Sequence, residues 1–159
     1  MGETSHLWET LQRAYVGNAW HGPGLRPLLR QVGAEAAAAH PIRGAHSIWE
    51  VACHMCLLED RARRHLEGEC LAPLQPGESW LIVTDDGAEA WAHTLDCFDC
   101  FHTALGNVLG RFPEEKLTEV VPGRDYPYYM LMHGLAQHEL FHAGQITVIM
   151  QAQSLAPVG

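Results

Sequence analysis

The chain has 159 residues, 47% of them apolar, with 19 acidic against 10 basic side chains and a formal net charge of −9 when its 11 histidines are neutral. That size suits a single domain over residues 1–159, and the apolar content excludes a mostly disordered chain, while no apolar run approaches the roughly 20 residues of a membrane-spanning helix. The acidic balance, without a stripe of Lys or Arg, removes the electrostatic basis for holding a phosphate backbone, so neither nucleic acid nor membrane is an expected partner.

The first predicted element is a helix over about residues 4 to 16, with Leu7, Leu11, Ala14 and Tyr15 at helical spacing and an end near Gly17-Asn18. Its opening MGETSHLWETLQ lacks the basic end and long apolar middle of a secretory signal, which points to the cytoplasm. A short helical connection carrying Leu25, Leu28, Leu29 and Val32 follows, interrupted at Pro41. The second long helix has a strong start: Ser47-Ile48-Trp49-Glu50 fits a capping box, and the helix runs to about His65, stopping near Gly68. LAPLQPGESW, with two prolines and a glycine, is a loop. SWLIVT resembles a strand, but a single strand has no partner.

A third long helix is predicted from near Asp86 to about Gly110, with Trp91, Leu95, Phe98, His102, Leu105 and Leu109 on one stripe. VVPGRDYP is the last connection, in which Asp125 or a neighbour can cap the final helix and Pro127 fits its first turn. The final helix, about residues 127 to 153, carries the stripe Leu131, Leu135, His138, His142, Gln145 and Ile149. The sum is an all-α fold, an up-and-down four-helix bundle, whose core is a common place for metal sites built from facing helices.

On that last helix His138-Glu139-Leu140-Phe141-His142 fits H-E-x-x-H, which puts two imidazoles on one face beside a glutamate able to act as a general base. The protease reading needs a third ligand, and AGQITVIMQAQSLAPVG after His142 contains no His, Asp, Glu or Cys. The third ligand must therefore lie upstream. Burying two imidazoles without partners costs on the order of a few kcal/mol, which a metal ion would offset. The best candidate is His54, on the stripe Ser47, Glu50/Val51, His54, Leu58, Ala62 of the capped helix. Three imidazoles from two helices would leave a coordination position open.

At HSIWEVACH, residues 46 to 54, and HELFHAGQI, residues 138 to 146, the chain resembles the DinB-like, or DinB/YfiT, four-helix-bundle metalloproteins. The resemblance extends over nearly the whole chain in helix order and loop placement. It implies the metal ligands His54, His138 and His142, a divalent ion such as zinc or nickel, and a homodimer. The family includes bacillithiol and mycothiol S-transferases and a thiol-dependent maleylpyruvate isomerase, so the resemblance also implies a small-molecule thiol and an electrophile as partners.

Glu139, about 100° around the helix from His138, is a candidate catalytic base that would face either a water at the metal or solvent. His102, on the inward stripe of helix three, is either a buried histidine with a polar partner or a residue that touches a ligand or the substrate. His46 precedes the capping serine and reads as structural. Cys53-x-x-Cys56 and Cys97-x-x-Cys100 match the spacing of a thiolate zinc site. Both pairs fall inside helical periodicity, though, and Cys53 and Cys56 lie roughly 100° and 160° from His54, so buried thiols between helices are the better reading. Five cysteines without an export signal also argue against a disulfide framework. Three chemistries remain open on these residues: transfer to a metal-activated thiol, metal-dependent hydrolysis, and a non-enzymatic metal-binding stress-response bundle.

Overall fold

The structure is a computed structural model that describes residues 2–17, 19–20 and 22–155. Four long helices form the bundle: α1 (Glu3–Tyr15), α4 (Ile48–Leu66), α5 (Ala88–Leu109) and α6 (Tyr128–Ala152). Between the first two lie the short helices α2 (Leu25–Arg30) and α3 (Ala34–Ala38), and a 3-10 turn, Glu114–Thr118, precedes α6. Among the described residues there is no strand, only two isolated bridges, Ala19 to Gly22 and Val120 to Pro127. α4 packs on α5 and α6, and α1 closes the ring against α6 and α5. No helix among the described residues is long and apolar enough to cross a membrane.

The capping box at α4 forms as its sequence demands: the Glu50 amide donates to Ser47 Oγ at 3.1 Å and the Ser47 amide donates to Glu50 Oε2 at 2.8 Å. The other starts depart from expectation. α5 begins at Ala88 after Gly87 with no side-chain cap; Asp85 instead accepts from the Gly87 amide at 2.9 Å. α6 starts with Pro127 at its N-cap position and no side-chain cap, so Asp125 does not fill that role, and the Tyr128 amide donates to the Glu119 carbonyl at 3.1 Å. The connection after α1 splits in two, with Gly33 as the N-cap of α3. α1 stops at Tyr15; Gly17 follows at φ +128, and Asn18 lies outside the described residues. SWLIVT forms no strand.

The largest correction concerns the rotation of α6. Its fully inward stripe is Met132, Ala136, Glu139, Ala143, Ile146 and Met150, whereas His138 is half-buried and Gln145 exposed. The sequence could not settle this, because α6 is apolar on every side: Met130, Phe141 and Val148 face solvent at 60%, 62% and 55% exposure. The stripe of α5 is nearly as expected, with Trp91, Phe98, His102, Leu105 and Leu109 buried and Leu95 partly so.

The apolar core divides into two clusters. One joins α2, α3, the first turns of α4 and α5 and the end of α6; the other joins α1, the last turns of α4 and α5 and the start of α6. Between Cys56 and Ala62 on α4, Phe98 and Leu105 on α5, and Ala136 and Ala143 on α6, the inward positions are Glu59, His102 and Glu139. A polar layer thus crosses the middle of the bundle. Gly106, one turn beyond His102, admits the Trp8 ring; a Cβ there would meet the indole at 2.4 Å.

Candidate metal centre

His54 projects from the second turn of α4, and His138 and His142 from adjacent turns of α6, the i,i+4 spacing putting both on the flank that faces α4. Three Nε2 atoms converge: His138 lies 3.2 Å from His54 and 2.9 Å from His142. Nitrogens bound to one zinc at about 2.0–2.1 Å and tetrahedral angles lie about 3.3–3.4 Å apart, so a small outward swing of the rings makes room for an ion.

Proton counting explains why the rings suit a cation. His54 Nδ1 donates to the Ser79 carbonyl at 3.1 Å and His142 Nδ1 donates to Gln145 Oε1 at 2.7 Å. As neutral rings, both therefore present bare lone pairs at Nε2. His138 has one N–H at most to offer there, and its Nδ1 is buried without a partner. At least two lone pairs thus aim at one point, an arrangement that a cation resolves and hydrogen bonds alone do not. Burial holds all three rings in the neutral, ligating form. For His138, the positive charge that His142 and His54 would carry adds to burial, and together they push it down to about 4. The groups at Nδ1 fix the tautomers of the other two rings, as carbonyl and amide partners do around metal-bound imidazoles.

The loop between α4 and α5 supplies the cover. The Trp80 ring stacks on His54 at 4.1 Å and on His46 at 3.5 Å, and meets His142 edge-on at 6.0 Å. His46 also contacts Glu50 Oε2 at 3.3 Å, which His40 approaches at 3.0 Å. Burial raises the Glu50 carboxyl, but hydrogen bonds from the Ser47 amide, His40 and His46 outweigh it and hold the group below the usual range. His46 is thus a prop for Trp80 and the helix start.

On the other side of His138 opens a cleft of about 380 Å³, lined by Leu58, Leu74, Leu131 and Leu135 and bordered by Arg61 and Arg124. Among the described residues neither arginine forms an ion pair with a carboxylate. Arg61 donates to the Ala72 carbonyl, and Arg124 to the carbonyls of Gly123 at 3.2 Å and Ala72 at 3.4 Å. Burial and then the neighbouring charges of Arg124 and Arg64 lower the pKa of Arg61, which marks a local excess of positive charge in an acidic protein.

Glu139 faces neither a water at the triad nor solvent. It is fully buried and groups with Glu59 of α4 and His102 of α5, the three offering ligand atoms within 4.8 Å of one another. Burial pushes the Glu139 carboxyl well above the usual range and the Glu59 charge adds to the shift. As two carboxylates they have no donor between them, so they hydrogen-bond only by sharing a proton. His102 Nδ1 contacts Glu59 Oε1 at 2.8 Å, and its ring stacks on Tyr15 at 4.0 Å and lies 4.8 Å from Trp8. It is a buried histidine with a polar partner, placed away from the cleft lining.

The cysteines build no thiolate cluster among the described residues. Cys56 is buried and Cys53 and Cys97 partly so, as packing thiols should be, but Cys100 is exposed. Burial, followed by the neighbouring thiol charge, pushes Cys53 and Cys56 up and keeps them protonated. Ser79, Trp80 and Arg124 are not legible as site residues in the sequence because only the folded loops bring them to the triad and its cleft, whereas Arg61 lies on α4 itself, seven residues after His54. Glu59 carried a legible signal, an acid on the stripe Met55, Glu59, Ala62, Leu66 of an otherwise apolar face.

A family model described as the DinB superfamily matches residues 9–146. No curated protein and no solved structure matches the chain.

Proposed function

The chain belongs to the DinB superfamily, and from that premise we propose that it is a metal-dependent S-transferase joining a low-molecular-weight thiol of the bacillithiol type to an electrophile. His54, His138 and His142 hold a divalent ion, zinc or nickel. What supports this reading is the convergence of three neutral Nε2 atoms beside a mostly apolar cleft whose rim carries two arginines that have no carboxylate partner among the described residues. When bound, a dication among three neutral imidazoles keeps its full charge and favours the thiolate, the nucleophilic form of a thiol.

The chain's own residues supply the rest. The Ser79 carbonyl and Gln145 keep the imidazole lone pairs aimed inward, and Trp80 covers the triad on the loop side. Leu58, Leu74, Leu131 and Leu135 exclude water from the cleft, while Arg61 and Arg124 fit an anionic group such as a carboxylate on the thiol or on the electrophile. In the reaction the thiol proton leaves to solvent and the sulfur forms the new C–S bond. The leaving group departs with its bonding pair. A homodimer in the cytoplasm completes the proposal.

The test is loss of a chromogenic electrophile with candidate thiols, run with the wild-type protein and His54→Ala, alongside elemental analysis of both. Turnover that needs thiol and metal, and disappears in His54→Ala together with the triad's ion, supports the transferase. Thiol-independent turnover would make it a hydrolase; bound metal without turnover under any thiol would leave a non-enzymatic bundle.

A further inference from the structure

The three buried groups in the polar layer are more than the imidazole triad requires. Glu59 and Glu139 are completely shielded and His102 is 3% exposed, yet with both acids ionised Glu59 Oε2, His102 Nε2 and both Glu139 oxygens find no hydrogen-bond partner, Glu139 reaching Glu59 only through a shared proton. Four orphaned polar atoms in one spot, each in a shielded side chain, are costly unless something unseen satisfies them. Apolar clusters lie on both sides of the layer, so bulk water is not the remedy.

We propose that Glu59, His102 and Glu139 form a second divalent-cation site, sealed inside the bundle and separate from the imidazole triad. Each of α4, α5 and α6 contributes one ligand, and one donor atom from each already lies within 4.8 Å of the others. Charge balance distinguishes the two sites. Two carboxylates neutralise a dication, so the ion can be buried whole, whereas three neutral imidazoles leave a double charge that needs an opening to solvent or substrate. Two oxygen donors and one imidazole suit Mn(II), Fe(II) or Zn(II) and disfavour soft ions. With Tyr15 and Trp8 packed over His102, the ion enters as the bundle forms and ties three helices together.

The competing state is a proton shared between the two carboxyls, and metal counting separates them. Wild-type protein, the double variant Glu59→Gln/Glu139→Gln and His54→Ala are unfolded in chelator, refolded with Mn(II), Zn(II) or, anaerobically, Fe(II), desalted and analysed for metal per chain. The proposal expects a second tightly held ion in the wild type that the glutamine variant lacks and His54→Ala retains. Metal content unchanged in the glutamine variant overturns it and leaves the shared proton. Should the triad hold no ion, the wild type and His54→Ala carry equal metal and the glutamine variant none, which upholds this site while refuting the transferase reading. A measurement on the unmutated chain guards against misfolded variants. Mn(II) in the sealed site leaves water proton relaxation nearly unchanged; if every bound Mn(II) enhances it, the proposal fails.

Discussion

The imidazole triad and the glutamate–histidine layer share α4 and α6, the layer adding His102 of α5, and Glu139 directly follows His138 in the chain, yet they solve opposite problems. The triad is uncharged, meets a cleft through His138, and is braced by a carbonyl and an amide at two of its Nδ1 atoms. The layer carries two acids and one base, is closed on all sides and leaves four atoms unsatisfied. Neighbours in sequence thus take on different chemistry because a 100° step around α6 separates a cleft wall from the bundle axis. The comparison teaches that the number of ionisable groups in a site says less than their net charge and their access to water.

The contrast can be broken most directly by unfolding in chelator. His102→Leu leaves two buried carboxyls without their base and should cost about 3 kcal/mol, measured by urea denaturation. His138→Leu removes a half-buried ring whose Nδ1 already lacks a partner, and should cost under about 1 kcal/mol. Equal losses would mean that the two clusters do not differ in the way their burial implies.

A smaller effect sharpens the triad side. Gln145→Ala frees the His142 tautomer without touching the Nε2 cluster, and should weaken metal binding about 10- to 100-fold in competition with a chromogenic chelator. Unchanged affinity would show that the ring is oriented by packing alone.

A third ionic group serves as the control, Asp99 on α5. It accepts from Tyr15 at 2.8 Å, Arg26 at 3.1 Å and Arg30 at 2.6 Å. Burial works upward on its carboxyl, but the hydrogen bonds from Arg30, Tyr15 and Arg26 prevail and lower its pKa. Its folded pKa lies below the unfolded value, so its contribution is complete above the ordinary aspartate pKa of about 3.9 and is lost as pH falls through the folded value. Asp99→Asn should therefore cost about 1 kcal/mol near neutral pH, and the gap from wild type should close as acid is added. A gap that persists at low pH would assign the effect to packing.

The amino-acid order alone determined the helical class, the four long helices to within a few residues, the capping box at Ser47 and the presence of paired histidines one turn apart. These depend on contacts within a few residues, where the 3.6-residue period and the geometry of a helix start act directly. Which way α6 turns was beyond it, because apolar residues surround that helix and many rotations bury similar area. Long-range packing made that choice: α4 and α5 set Glu59 and His102 at the level of Glu139, and the loop after α4 returned Ser79 and Trp80 to His54. Such contacts join residues far apart along the chain, and their positions follow from how rigid helices fill a shared core, which no local period encodes.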